Sequence, residues 1–588
     1  MSRFATLAEA VANVGIDWPD LGYTFLDLKG NERFYSFPDM AEATARRAAA
    51  LQALGLKKGD RAGLIVVEPE DFVLTFFAMF RVGVVPVPLY PPLSLGNLDA
   101  YADRTAKVLE SASAKILVAS SSLQNILWSQ VDRVDSVEKL IKAEDLAKGV
   151  GTPDYPEITP DDVAFLQYTS GSTSDPKGVM VPHRCLVANC EGIIEHGLKL
   201  DPSVGDKGVS WLPLYHDMGL IGFVIAPILY GIPIVFIPTL SFVKRPQIWL
   251  ETIHKHRGTA SFAPNFAYAL ASRKAKPDQL ARWDLSCVKV LGCGAEPIHP
   301  ETMRDFTELF GTHCDLPRNA LMPAYGMAEA TLAISLKPVE QEMVTRRVDA
   351  NTFQEDGVVA EPTDGNPLEE HVACGVPFPG HEVAVLDEQG NRLADGHQGE
   401  LCVKGPSVTP GYWQNPEATA RAFRGGWLHT GDLGYVMNGQ IYVTGRVKDL
   451  IILNGRNVHP QAVEWAAASV EGVRKGNVVA FARPGAHSEE LVIALETRSP
   501  DHDALKKQVR QAVQRELSLT VTDVLCLEPG TLPKTSSGKL QRAKTRAQYL
   551  AGTAGKEGNR NAGATDRITL ARHMAASVWS RAKAALRG

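Results

Sequence analysis

The run Tyr168-Thr169-Ser170-Gly171-Ser172-Thr173-Ser174-Asp175-Pro176-Lys177-Gly178 carries more information than any other stretch of the chain. Five of its eleven residues are Thr or Ser, Gly171 and Gly178 bracket most of them, and Lys177 stands near the end. The apolar segment Val163 to Leu166 before it reads as a strand, and an amphipathic segment from about His183 reads as a helix. Glycines let backbone N–H groups converge on an anion, hydroxyls add donors and the lysine adds charge. A strand feeding such a loop therefore predicts a phosphate cradle. It is not a Walker A loop, in which the lysine follows the second glycine and a Ser or Thr comes next. A merely flexible Ser/Gly loop would not need proline and lysine inside the run.

The chain is 588 residues long, too many for one core, and two to four domains are expected. Hydrophobic content of 45% and charged content of 22% are ordinary for a globular protein. A formal net charge of −6 gives no reason to expect nucleic acid as a partner. Met1 to Asp20 lacks an apolar signal core and carries Glu9. The eight cysteines (Cys185, Cys190, Cys287, Cys293, Cys314, Cys374, Cys402 and Cys526) form no CxxC pair, which fits reduced thiols and a cytoplasmic location. Met218 to Val243 holds no charged residue and is long enough to span a bilayer. Pro227, Gly231, Pro233 and Pro238 cut it up, so it reads as a buried helix, a turn and a buried strand, Ile234 to Ile237, and no integral membrane segment is expected.

Strand-like runs alternate with helical patterns through Ala62 to Val67, Val84 to Val87, Ile116 to Ala119, Val163 to Leu166 and Val288 to Leu291. The fold class is α/β: a large N-terminal domain of layered α/β sheets. From Val383 to Val403 short strands with Gly-rich turns suggest a small β-barrel or distorted sheet. After Gly445-Arg446-Val447-Lys448-Asp449, strands and helices at α+β spacing run to about residue 551, enough for a small independent domain, with the boundary at Lys448. The expected organisation is 1–447, 448–551, and a Gly-rich linker with a basic helical tail over 552–588. The tail reads as an exposed or loosely docked helix.

Four further motifs accompany the loop. Tyr325-Gly326-Met327-Ala328-Glu329 offers a ring that can stack on a base and a carboxylate that can hold Mg²⁺. Trp427-Leu428-His429-Thr430-Gly431-Asp432 places a carboxylate after a glycine turn, suited to two ribose hydroxyls. Arg446, 14 residues later, can reach the same sugar or a phosphate. Pro533-Lys534-Thr535-Ser536-Ser537-Gly538-Lys539 is a second Ser/Gly/Lys loop, in the small domain. A lone carboxylate in a Gly turn is usually a cap or turn residue, but the five together in this order are not coincidence.

These motifs, over about residues 20 to 550, resemble the adenylate-forming superfamily of acyl-CoA synthetases, peptide-synthetase adenylation domains and luciferases. Within it the chain most resembles the fatty acyl-AMP ligases. The resemblance rests on Phe165-Leu166-Gln167-Tyr168, Trp211-Leu212-Pro213-Leu214-Tyr215-His216-Asp217-Met218-Gly219-Leu220, Ala263-Pro264-Asn265-Phe266-Ala267-Tyr268, Gly294-Ala295-Glu296-Pro297 and Ala328-Glu329-Ala330-Thr331. It implies ATP and Mg²⁺ as cofactors, a fatty acid as substrate and a separate acyl carrier protein as acceptor. It implies that Thr169, Ser170, Gly171, Ser172, Thr173 and Lys177 hold the β- and γ-phosphates. Gly294, Ala295, Glu296, Tyr325, Gly326 and Met327 would frame the adenine, Glu329 would bind Mg²⁺, and Asp432 and Arg446 would hold the ribose. Lys539, with His216 and Lys177, makes up the implied catalytic set, and Lys448 is the implied hinge.

Two departures matter. Many superfamily members have Thr before the Mg²⁺-binding Glu. Here Ala328 stands there, so one α-phosphate donor is missing or supplied by Thr331. Residues 344–370 are polar, turn-rich and poor in periodicity, and occupy the place of the insertion that in fatty acyl-AMP ligases restrains the small domain and discourages use of CoA. A tolerated surface insertion is the plain alternative. Phe223, Ile225, Phe262 and Phe266 are candidates for an acyl tunnel and equally for core. The competing readings are a long-chain fatty acyl-CoA ligase and a catalytically silent nucleotide- or acyl-binding protein.

Overall fold

A computed structural model describes residues 3–92, 98–131, 133–169, 176–453, 456–485, 489–535 and 539–555. Its first sheet is parallel, in the order Val85–Pro88, Arg61–Ile65, Ala114–Ala119, Lys139–Lys142. Helices cover parallel strands on both faces, which is why the run from Ala62 through this strand is apolar without alternation. The second sheet has nine strands. Its parallel centre runs Leu321–Gly326, Val290–Cys293, Ala260–Ala263, Gly208–Ser210, Ile234–Phe236, Gly22–Leu26. Antiparallel strands flank it, Ala333–Leu336 and then the edge Val376–Pro377 on one side and Glu32–Ser36 on the other. Five strands, Trp427–Met437 the longest of them, form a third sheet. Register shifts at Glu400/Cys402 and Leu433/Gly434 bend it, the distorted-sheet alternative of the sequence reading.

The charge-free stretch is cut as expected. A short helix, Asp217–Leu220, runs through a π-helical segment, Ile221–Ile225, into the helix Ala226–Tyr230. Gly231 ends it at φ +69°, a left-handed cap that glycine adopts without strain. The buried strand Ile234–Phe236 follows. Among the described residues no helix is long and apolar enough to cross a membrane. All eight cysteines are free.

Two local expectations need correction. Gly178 does not lead straight to the helix at His183. Lys177–Pro182 is a strand antiparallel to Val163–Thr169, so the Ser/Gly run joins the two strands of a hairpin. Nor are residues 344–370 irregular. Thr345–Asp349 pairs with Leu368–Val372, and the helix Ala350–Asp356 lies between them. Asp349 caps that helix by accepting the Thr352 N–H at 3.0 Å, and Asn366 donates to its other oxygen at 2.6 Å. Val348 and Phe353 bury themselves against Tyr435 and Tyr442.

The apolar core of the large part reaches Ile441. A separate core starts at Ile451 and surrounds the sheet Val473–Pro484, Glu489–Thr497, Asp523–Leu527. Between them Val447–Asp449 makes a single 3₁₀ turn. The linker beyond residue 555 and the basic tail lie outside the described residues.

Candidate active site

The hairpin ladder of the Ser/Gly run ends at the pair Thr169–Lys177. Ser170, Gly171, Ser172 and Thr173 lie outside the described residues. Gly178 faces Tyr168 across the ladder, and a Cβ at Gly178 would come 2.7 Å from that ring, so the glycine makes room for it. The segment after Pro410 docks on the hairpin: Met180 N–H donates to the Gly411 carbonyl, and Trp413 N–H to that of Gly178. This places Tyr412 between two predicted site residues. The Lys177 ammonium sits 5.2 Å from its ring centroid, and its hydroxyl donates to Glu329 at 2.7 Å.

Glu329 lies in the 3₁₀ turn Ala328–Ala330, whose geometry Thr409 fixes by donating its N–H and hydroxyl to the Glu329 carbonyl oxygen. Burial raises the pKa of the Glu329 carboxyl, against the Tyr412 hydroxyl, which lowers it. Thr331 follows at φ 72°, ψ −67°, the rare γ-turn closed by Leu332 N–H donating to Ala330 O. Thr331 is fully buried and its hydroxyl donates to the Ser407 carbonyl at 2.7 Å. It therefore does not replace the donor absent at Ala328. Its work is to hold the turn.

Asp432 is placed by a chain of small contacts. Glu400 accepts the Gly431 N–H at 3.0 Å, Thr430 Oγ1 donates to Leu401 O at 2.6 Å, and Asp432 N–H donates to Thr430 Oγ1 at 3.0 Å. Asp432 pairs across the hairpin with Arg446, and their side chains meet at 2.9 Å. Tyr325, at the end of a central strand, donates its hydroxyl to the other Asp432 oxygen at 2.9 Å. Burial pushes the Asp432 carboxyl up, while Arg446 and Tyr325 favour its charge. Gly294 stands behind this wall, where a Cβ would come 3.0 Å from Ala324 O. Ala295 takes φ +69°, a left-handed conformation costly for a residue with a side chain. Glu296 accepts the Phe266 N–H at 3.2 Å.

His216 caps the helix at Asp217, and its Nδ1 lies 2.6 Å from Asp217 Oδ1. Burial opposes the Asp217 charge, but His216, Lys539 and the Met218 N–H outweigh it and hold the carboxyl at about 2. Lys539 comes from the small unit. Its loop is closed by Thr535 N–H donating to Lys539 O at 2.7 Å and by Lys539 N–H donating to Thr535 Oγ1 at 3.1 Å. Burial lowers the Lys539 pKa, and the charges of Asp217 and Glu296 oppose that shift. Its ammonium thus loses its proton at a lower pH than an exposed lysine does. The alkaline limb of any activity that needs its charge is expected below the ordinary lysine range, and should move up in Lys539→Arg. A limb at the same pH in both proteins would remove Lys539 as its source.

One cavity of about 2210 Å³ gathers these groups. Thr169, Lys177, His216, Ala295, Glu296 and Tyr325 line it, as do Gly326, Met327, Glu329, Asp432, Arg446 and Lys539. Gly294 is not on its surface. Of the tunnel candidates Phe223, Phe262 and Phe266 line it, whereas Ile225 is fully buried in the core. The sequence reading missed Tyr412, which lies 83 residues from its partner Glu329, and Asp217, whose place beside His216 in the quoted motif was the available signal. It also missed the contacts that seat the small unit. Arg456 donates to Asn351 Oδ1 at 2.8 Å and Gln354 Oε1 at 2.7 Å, the His459 ring lies tilted against Phe353 with centroids 5.9 Å apart, and Trp465 packs edge-on against His299 at 4.9 Å.

Residues 10–413 match the family described as AMP-binding enzyme. A relative from Caulobacter vibrioides that carries an acyl-CoA synthetase name is 38% identical over 523 residues, 88% of this chain and 90% of the relative. The medium-chain-fatty-acid–[acyl-carrier-protein] ligase JamA of Moorena producens is 33% identical over 553 residues, 90% of this chain and 92% of its own. A solved structure from studies of fatty acyl-adenylate ligases of E. coli and L. pneumophila superposes with a TM-score of 0.88. It is 33% identical and covers 94% of this chain and 99% of its own.

Proposed function

The chain belongs to the AMP-binding enzyme family, and from that premise we propose that it is a fatty acyl-AMP ligase. It joins a fatty acid to the AMP of ATP, releases pyrophosphate, and passes the acyl group to the phosphopantetheine thiol of a separate carrier protein. One observation carries the reading: Lys539, delivered by the small unit, shares a cavity with Asp217, Glu296 and the Asp432–Arg446 pair and feels all four charges.

The chemistry accounts for the residue types. A carboxylate oxygen attacks the α-phosphorus of ATP, the bond to the bridging oxygen breaks, and pyrophosphate leaves with that electron pair. Two anions must meet, so fixed cations and N–H donors supply the stabilisation, and positioning supplies much of the remainder. Lys539 neutralises the carboxylate and the α-phosphate as they approach. Lys177, Thr169 and the loop Ser170, Gly171, Ser172 and Thr173 grip the β- and γ-phosphates. Ala295, Glu296, Tyr325, Gly326 and Met327 frame the adenine, with Gly294 as support behind them. Asp432 and Arg446 hold the ribose, and His216, oriented by Asp217, stands between acyl cavity and phosphates. Glu329 fits a Mg²⁺ ligand: its carboxylate lies where burial disfavours an uncompensated negative charge. When bound, the ion offsets negative charge on the phosphates.

We put the hinge at Lys448, supported by the break between the two cores. We assign residues 344–370 the role of a restraint on the small unit, supported by the Arg456 and His459 contacts. Hydrogen bonds to a charged group contribute about 1.5 kcal/mol or more. Arg456→Ala is therefore expected to raise CoA thioester formation by roughly tenfold, with adenylate formation little changed. Equal CoA activity in both proteins would leave the segment a surface insertion.

Mass spectrometry of the products from enzyme, ATP, Mg²⁺ and fatty acid tests the whole reading, with CoA or a phosphopantetheinylated carrier as acceptor. Acyl-adenylate and acyl-carrier with little acyl-CoA is the expected result. Abundant acyl-CoA would instead make it an acyl-CoA ligase, and absence of adenylate would make it a silent binder.

A further inference from the structure

Two glycines in one helical segment differ in what they serve. A Cβ at Gly219 would lie 2.4 Å from the Pro213 carbonyl oxygen, so the backbone around it demands glycine. A Cβ at Gly222 would meet nothing closer than Leu332 Cδ2, at 3.8 Å. Glycine in a helical segment is less stable than alanine, so among the described residues no side-chain packing calls for glycine at position 222. Gly222 and Leu332 both line the cavity. The γ-turn at Thr331 sets Leu332 opposite Gly222, three residues after Glu329.

Beyond this gap the cavity becomes apolar and follows the central sheet. It passes Phe223 and Phe262 and reaches Gly208, Ile234 and Ala260, the first residues of their strands. The groups that face the phosphate site lie at the other ends of the strands. Along Ala260–Ala263 alone the cavity therefore extends about 10 Å at the usual rise per residue. Glycine seats fix the two rings. A Cβ at Gly292 would strike Phe262 at 2.0 Å, and one at Gly208 would approach Phe223 at 3.3 Å and Ile234 at 2.5 Å. The rings meet edge-on with centroids 6.3 Å apart, so the deeper wall is rigid. The opposite wall includes Ile193, Ile194 and Leu198 from a second π-helical segment, Gly192–Leu198. π segments are rare and gather at functional sites, and both of these line one cavity.

We propose that Gly222, facing Leu332, is the residue that admits a long unbranched acyl chain to the deep cavity and so sets chain-length specificity. Gly222 lies four residues beyond Met218, about 6 Å along a helical segment, so a side chain there would stop the acyl chain early. The inference rests on the fatty-acid reading above and deepens it.

The test is acid-dependent ATP–pyrophosphate exchange with saturated acids from butanoate to stearate, alongside the melting temperature. The wild type, Gly222→Ala, Gly222→Leu and the double variant Gly222→Leu/Leu332→Ala are compared. In Gly222→Leu the loss in kcat/KM should grow with chain length and reach at least ~10-fold between the shortest and longest acids. The melting temperature should not fall, and Leu332→Ala should restore part of the long-chain activity. Should Gly222→Leu fail to fold, Gly222→Ala reads the same shift on a smaller scale. An unchanged chain-length profile in the folded variant overturns the proposal, as does an equal loss for every acid or a wild type that uses only short acids. A wild type that exchanges with no straight-chain acid overturns the fatty-acid reading itself, and the proposal with it.

Discussion

Lys539→Ala is expected to lower fatty acid-dependent ATP–pyrophosphate exchange by ~10²–10³-fold while the melting temperature stays at or above that of the wild type. The rate loss would follow from the meeting of two anions, for which Lys539 is the proposed cation. Stability should hold because burial already disfavours the Lys539 charge, so removing the ammonium removes a cost as well as its attraction to Asp217 and Glu296. Lys539→Arg keeps the charge in a larger, planar group and should retain part of the rate. Exchange near the wild-type rate in Lys539→Ala would sink the assignment of this lysine, whatever its place in the cavity. The partial reaction matters here. Exchange reports adenylate formation alone, so a defect confined to acyl transfer would not register.

Glu329→Gln is expected to cost about 3 kcal/mol in the same reaction, roughly 10²-fold, and to raise the Mg²⁺ concentration needed for half-maximal rate. Glutamine keeps the shape and an oxygen to accept the Tyr412 hydroxyl, so the turn at Ala328–Ala330 should survive. Because burial disfavours the Glu329 charge, the neutral variant should melt no earlier than the wild type. Tyr412→Phe separates the two duties of the contact. It removes the hydroxyl but leaves the ring under Lys177, and its effect should stay below that of Glu329→Gln. A Mg²⁺ dependence identical in Glu329→Gln and wild type would show that the carboxylate is not the metal's ligand.

Chemistry that depends on residue type could be read along the chain. Contacts made across folds of the chain could not. The Ser/Gly run stood out because glycine, hydroxyl and lysine rarely crowd together, and its described ends, Thr169 and Lys177, line the cavity. Asp432 and Arg446 were both recognised, yet their direct pairing depends on the register of one hairpin, where a bulge at Leu433/Gly434 intervenes. Lys177–Pro182 escaped as a strand because Gly178 and Pro182 bracket an apolar run of only three residues, Val179, Met180 and Val181. Residues 344–370 looked irregular because their strands are short and charged, and Phe353 is the one large apolar residue of their helix; a capping Asp349 does what apolar periodicity usually does. Tyr412 could not be found because its meaning lies in Glu329 and Lys177, one far upstream and the other farther still. Thr331 misled for the opposite reason: a hydroxyl beside a predicted metal ligand invites a phosphate role, and only its burial against Ser407 reveals a turn.

Part of the cavity wall is carried by residues on the far side of Lys448, among them Trp465, Lys475 and Lys539. A wall that can leave also exposes what it enclosed. A mixed anhydride hydrolyses on contact with water, so if the small unit swings away about the proposed hinge before an acceptor arrives, ATP would be converted to AMP and pyrophosphate with nothing transferred. The Arg456 grip on Asn351 and Gln354 then has a metabolic meaning separate from the choice of thiol. On the proposed restraint, it would set the idling rate of the enzyme, and with it the amount of ATP lost while no carrier with a free phosphopantetheine thiol is at hand.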